Sequence, residues 1–267
     1  MEKKSRGKTI VIVILVLAVL GLGGYIVYDK VLSKETEEPV KKEQKKEIKQ
    51  EDLDEISDIL MQKLNESKVW DILSVKGLPD SMTFDNNTID NKVIKIEIDN
   101  QNGISSPVKT QSIDEYFKNT YGITNIDYSD IICAVDNTVF YKYDDSNKEY
   151  KFVGNHPHGA DGVNLVSPIY VKLNNITKEN GNYVLTVTEV YANIKDDEFI
   201  SADPKGTVKI ADFDNYLLED GATINTNKVI SDYENMFENK KANYPKYKYI
   251  FKKDNDDYYL IGYELAK

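Results

Sequence analysis

Eighteen consecutive residues, Ile10 to Val27 (IVIVILVLAVLGLGGYIV), carry no charge. Nothing else in the chain constrains its fold as strongly, because a run this long and apolar is matched to the hydrocarbon core of a bilayer. At about 1.5 Å of rise per residue, eighteen helical residues cover roughly 27 Å. Thr9 and Tyr28 extend the segment to about 30 Å, with Tyr25 and Tyr28 at the level of an interfacial aromatic belt. Backbone groups in lipid must be satisfied within the segment, so residues 9–28 are expected to form a transmembrane helix despite their β-branched content.

Lys3, Lys4, Arg6 and Lys8 precede the run, whereas Asp29, Lys30, Lys34, Glu35, Glu37 and Glu38 follow it. The positive-inside rule then holds residues 1–8 in the cytoplasm and sends the remainder outward. A cleaved signal peptide is the rival reading. Against it, the run exceeds a usual signal core and no A-x-A-like site follows. The only cysteine, Cys133, is far from any lipobox position, which excludes a lipoprotein.

The chain totals are 34 basic and 45 acidic residues; residues 1–28 hold four and one of these, leaving 30 against 44 beyond them, a net charge of −14. Such a surface repels phosphate backbones, so nucleic acid is excluded as a partner. Arg6 is the single arginine, so no bidentate guanidinium fork is available in residues 29–267. One cysteine allows no internal disulfide, and stability must come from an apolar core.

Residues 29–50 read as a charged linker, with SKETEEPVKKEQKKEIKQ at 33–50. Leu53, Ile56, Leu60 and Leu64 then share one helical face, and the helix is expected to run on through Trp70 and Leu73 until Gly77 and Pro79 stop it. In Val93–Ile98 the alternation of Ile94, Ile96 and Ile98 with Lys95 and Glu97 argues a half-buried strand, and a helix beginning near Thr88 is the alternative. Ser112-Ile-Asp-Glu115 has the form of a capping box, opening a helix that Gly122 ends.

Strands follow: 131–135, 138–143 and 149–153, separated by Asp136-Asn137 and Asp144–Asn147. Further hairpins are expected from 169–174 with 183–192, and from 246–252 with 258–264. Residues 196–239 carry eleven acidic and three basic residues, with a helix near 229–237. The expected fold class is α+β: an N-terminal transmembrane helix, then helices packed on a mostly antiparallel curved sheet, with residues 51–267 as the extracytoplasmic domain.

The Lys-flanked apolar run ending Gly-Gly-Tyr-Ile-Val-Tyr-Asp-Lys, the Ser112–Gly122 helix, the Tyr141-Lys-Tyr-Asp144 hairpin and the closing Tyr249-Ile-Phe-Lys-Lys253 and Tyr258-Tyr-Leu260 strands carry a resemblance. The chain resembles the extracytoplasmic parts of uncharacterised single-pass proteins of low-GC Gram-positive bacteria. It is similar in outline to cone-shaped α+β folds of the nuclear-transport-factor-like or cystatin-like kind. The resemblance implies a fold and a location, and no activity.

Both histidines lie in Gly154-Asn-His156-Pro-His158-Gly-Ala-Asp161-Gly162. His156, His158 and Asp161 could offer two nitrogens and an oxygen to one metal, although Pro and Gly on every side equally describe an exposed loop. Cys133 inside an apolar run reads as a buried small hydrophobe, where a thiolate nucleophile is disfavoured. Ser106-Pro-Val-Lys109 matches S-x-x-K but lacks the accompanying S-D-N and K-T-G. Asp212-Phe-Asp214-Asn begins like a calcium loop without the glycine at position six or the glutamate at twelve. Tyrosines at 141, 143, 247, 249, 259 and 263 suit half-buried strand positions better than a sugar-stacking surface.

The expectation is therefore a non-enzymatic binding or scaffolding module without cofactor. Its partners are the lipid bilayer, through residues 9–28, and a cell-surface protein or wall glycan. A metal-dependent envelope hydrolase using His156, His158 and Asp161 is the alternative.

Overall fold

The apolar face begun at Leu53 forms as a helix, but a hydroxyl interrupts it. In the computed structural model, which describes residues 50–133, 137–154, 165–193, 199–212, 225–240 and 244–266, α1 spans Gln50–Glu66 and buries Leu60 and Leu64 completely. The buried Ser67 donates its Oγ–H to the Leu64 carbonyl at 2.7 Å, competing with the helical ladder. Lys68 then turns left-handed at φ 53°, and a second helix, α2, runs Val69–Val75. Trp70 and Leu73 thus belong to a separate short helix rather than to a continuation of the first.

After β1 (Ser81–Thr83), residues Asn91–Asn100 form a helix, α3, and not the strand that the alternating isoleucines suggest. Asp90 decides this by accepting from the backbone N–H groups of Lys92 and Val93 at 3.0 and 3.1 Å. Val93, Ile94, Glu97 and Ile98 then fall on one buried helical face. The chain next forms β2 (Val108–Lys109) and α4 (Thr110–Tyr121). The capping box is not formed: the helix starts two residues before Ser112, whose hydroxyl hydrogen-bonds Gln101 Oε1 and the Lys109 carbonyl instead. Gly122 ends α4 as expected, at φ 69°, with its own N–H on the Lys118 carbonyl and that of Ile123 on the Phe117 carbonyl.

The remaining elements are β3 (Ile131–Ile132), β4 (Val139–Asp144), β5 (Glu149–Phe152), β6 (Tyr170–Glu179), β7 (Asn182–Asn193), β8 (Phe199–Ser201), β9 (Lys209–Asp212), α5 (Thr226–Lys240), β10 (Lys246–Asp254) and β11 (Asp257–Ala266). They build a seven-stranded antiparallel sheet in the order β1-β11-β10-β7-β8-β9, with β6 on the other side of β7, and a four-stranded sheet in the order β2-β5-β4-β3. The β6–β7 hairpin turns through Asn180-Gly181, both with positive φ, the pair that a type I′ turn demands. β8 and β9 arise inside the acidic stretch where no strand is expected; at three and four residues they are too short to show alternation.

The expected fold class is corrected on these grounds. Among the described residues no helix is long and apolar enough to cross a membrane, since each is an amphipathic surface helix interrupted by charges. The sheets dominate, and there are two, because β2–β5 close on their own aromatic core of Phe140, Tyr141 and Tyr150. The run 9–28, the linker before Gln50, residues 134–136 and the His-Pro-His segment lie outside the described residues.

Residues Lys49–Lys267 make up one compact unit. Helices α1 and α4 lie against β11, and Phe117, Tyr249, Phe251 and Leu260 are fully buried there. Each such side chain contributes roughly 1.5–3 kcal/mol on removal from water. Val190, Ile200 and Val229 form a smaller cluster that holds α5 on the sheet.

Candidate binding groove

An open groove of about 700 Å³ lies where the start of α4, the loop 124–128 and the tip of the β4–β5 hairpin converge. The hairpin tip is shaped locally: the Asp144 carboxylate accepts from the backbone N–H groups of Ser146 and Asn147, both at 3.1 Å. The Lys148 carbonyl accepts from the Thr110 N–H at 2.9 Å, which joins the tip to the first residue of α4. Lys109 adds a second tie, its ammonium reaching the Asn147 carbonyl at 3.2 Å and Glu149 at 2.6 Å.

The opposite wall is fixed by tyrosines. Tyr128 donates its hydroxyl to Asp114 Oδ1 at 2.8 Å, and its ring meets Tyr143 and Tyr150 at centroid separations of 5.7 and 6.0 Å. Tyr150 donates to the Ser129 carbonyl at 2.9 Å, and Asp130 accepts from the Tyr143 N–H at 2.8 Å. Burial, with the Asp114 carboxylate alongside, pushes the Tyr128 hydroxyl well above the usual tyrosine range, so it remains a donor at all ordinary pH values.

The charges around the groove are unevenly committed. Lys148 pairs with Asp145 at 2.6 Å, and the lysines at 109 and 151 hold the Glu149 carboxyl below its usual range. Asp114 and Lys118 are four residues apart on α4, the spacing at which a helix forms ion pairs. Among the described residues they form none, because Asp114 is turned to Tyr128; Glu115 accepts only from Gln111 Nε2, at 2.9 Å. The groove therefore presents two carboxylates without a cation and one ammonium without an anion.

A second polar cluster is closed to solvent. Glu189 on β7 is 1% exposed, and its carboxylate accepts from Trp70 Nε1 at 2.9 Å, Tyr249 Oη at 2.5 Å and the Tyr191 hydroxyl. Burial pushes its carboxyl above the usual range, against the three donors, which pull the other way. The same burial raises the hydroxyls of Tyr191 and Tyr249. This cluster locks α2 to the large sheet and is too enclosed to meet a ligand.

His156, His158 and Asp161 lie outside the described residues. Among the described residues no group of three or more His, Cys, Asp or Glu side chains is placed to hold a metal ion. Cys133 is buried, as its apolar run suggests. Ser106 is exposed while the Lys109 ammonium is engaged with Asn147 and Glu149, so the S-x-x-K spacing assembles no site. The calcium-like run from Asp212 passes outside the described residues after its first member. Of the strand tyrosines, Tyr141, Tyr247, Tyr249 and Tyr263 are buried, and Tyr143 and Tyr259 half-buried.

The groove is not legible in the chain because its walls come from 109–118, 124–128 and 147–148, where the Ser112–Glu115 pattern points to a helix start and not to a ligand. The only local hint is the polar face of α4, where Gln111, Asp114, Glu115 and Lys118 follow one another at helical spacing. Comparison with protein-family models, curated proteins and solved structures returns no match.

Proposed function

We propose that the protein is a non-enzymatic binding module of the cell envelope whose ligand sits in the groove between α4 and the β4–β5 tip. The single observation carrying this reading is the groove itself: about 700 Å³, walled by a helix and a hairpin rigidly joined, and lined by polar groups with unused hydrogen-bonding and charge capacity. Rigid walls with convergent polar groups are what a recognition site needs.

The proposed location is the outer face of a membrane. Its support is sequence alone: the eighteen uncharged residues at 10–27 with basic residues before them. The net charge of −14 beyond residue 28 favours a wall component or surface protein over anionic lipid as the ligand.

The test is cosedimentation of the purified chain with peptidoglycan sacculi. Retention of the wild type, reduced several-fold by the double substitution of Asp114→Asn and Lys118→Gln, is the expected result. No retention, or retention indifferent to the groove, overturns it. So does stoichiometric zinc with hydrolysis of the wall, both lost when His156 and His158 become alanine.

A further inference from the structure

We propose that the groove takes the zwitterionic end of a short peptide: an ammonium against Asp114 and Glu115, and a carboxylate against Lys118. This deepens the binding reading above and rests on it. The argument begins with an ion pair that does not form. An acid four residues before a lysine on a helix is ordinarily stabilised by pairing with it. Asp114 forgoes this for the Tyr128 hydroxyl at 2.8 Å, a charge-assisted hydrogen bond worth more than an exposed pair. The Tyr128 ring is itself held by Tyr143 and Tyr150, so the carboxylate is kept in that orientation.

Lys118 is thereby left without an ion pair among the described residues, one helical turn from the two carboxylates. Four residues of α-helix set the Cα atoms of Asp114 and Lys118 about 6 Å apart along the axis. Two extended residues reach about 7 Å, so the ammonium and carboxylate of a dipeptide span the same interval.

Charge distinguishes this ligand from its competitors. Beyond residue 28 the chain is strongly acidic, yet the groove is lined by Lys109, Lys118 and Lys148 against Asp114 and Glu115. Lys109 and Lys148 are held by Glu149 and Asp145, so Lys118 is left to meet a carboxylate. A free phosphate would be repelled by the two uncommitted carboxylates, and a neutral sugar would leave all three charges unpaired. Wall peptides, which carry free amines and carboxylates at short spacing, have the required chemistry.

The test uses the full chain and four probes in calorimetric titration: alanyl-alanine, its N-acetyl derivative, its C-terminal amide, and inorganic phosphate. Alanyl-alanine is expected to bind, and each blocked form at least ten-fold more weakly. In Lys118→Gln the free acid and the amide should bind alike, and in the double substitution of Asp114→Asn and Glu115→Gln, which keeps an acceptor for Tyr128, the free amine and the N-acetyl form should bind alike. Equal binding of all three peptides by the wild type, binding of phosphate alone, or no peptide binding overturns the assignment. Groove-dependent retention on sacculi alongside any of those results leaves the binding module standing and removes only its peptide ligand.

Discussion

Replacing Glu189 by leucine removes the acceptor shared by three donors, two of them buried and one half-buried. Trp70 Nε1 and the hydroxyls of Tyr191 and Tyr249 all end on this carboxylate, and Tyr191 and Tyr249 are buried. Each buried donor left without a partner costs about 1–3 kcal/mol. Leucine returns about 2 kcal/mol through its own apolar burial. The three donors together cost about 3–9 kcal/mol, so the net loss is about 1–7 kcal/mol, a large part of the 5–15 kcal/mol typical of a domain. Glutamine is the informative contrast: its Oε1 still serves Trp70 and Tyr249, and the Tyr191 hydroxyl can turn to accept from the new amide, so the cost is under about 1 kcal/mol.

Glu189 and its glutamine replacement also differ in pH dependence. Burial raises the Glu189 carboxyl above the ordinary glutamate value of 4.5, so the folded chain holds this proton more tightly than the unfolded chain. Stability from this group is then fully present below about pH 4.5 and declines as pH rises through the folded value. Glu189→Gln removes that decline, so the variant should gain on the wild type as pH increases. Urea unfolding followed by fluorescence measures all of this, because Trp70 is the only tryptophan and a direct partner of the carboxylate. Should Glu189→Leu unfold within about 0.5 kcal/mol of the wild type, the reading of the cluster as the lock between α2 and the sheet is refuted.

Asp90→Ala should lower stability by about 1 kcal/mol, since it strips the N-cap of α3 and the 2.9 Å contact with Lys76. Although burial pushes the Asp90 carboxyl up, Lys76 and the two backbone donors outweigh it and hold it low. Its contribution is therefore present above the ordinary aspartate value of 3.8 and lost as pH falls through the folded value, so wild type and variant should converge in acid unfolding curves. Gly103→Ala would set a Cβ 2.3 Å from Ile98 Cγ2 and 2.9 Å from the Ile98 carbonyl oxygen, a clash worth about 1–3 kcal/mol. Gly181→Ala meets nothing within 4 Å and pays only for φ +83°, about 1 kcal/mol, so thermal melts should rank Gly103→Ala below it.

Signals carried by neighbouring residues were legible without the structure. The 3.6-residue spacing of Leu60 and Leu64, the helix-ending Gly122 and the closing hairpin 246–264 all form where the chain alone places them. So do the acidic surface and the buried state of Cys133. Each depends on conformational preferences within a few residues, which act before any distant contact exists.

Tertiary contact decided the rest. Ile94, Ile96 and Ile98 fit a strand as well as a helix; the local Asp90 cap starts the helix, and burial of Val93, Ile94 and Ile98 fixes which face turns inward. A Ser67 hydroxyl divides α1 from α2, held in place by Tyr116 and Tyr121, both of which donate to the Ser67 carbonyl from about fifty residues away. The groove and the Glu189 lock draw on residues up to 119 apart, such as Trp70 and Glu189. No local pattern encodes such meetings: an acceptor's partners are chosen by which surfaces are buried together, and that is set only when the sheets close.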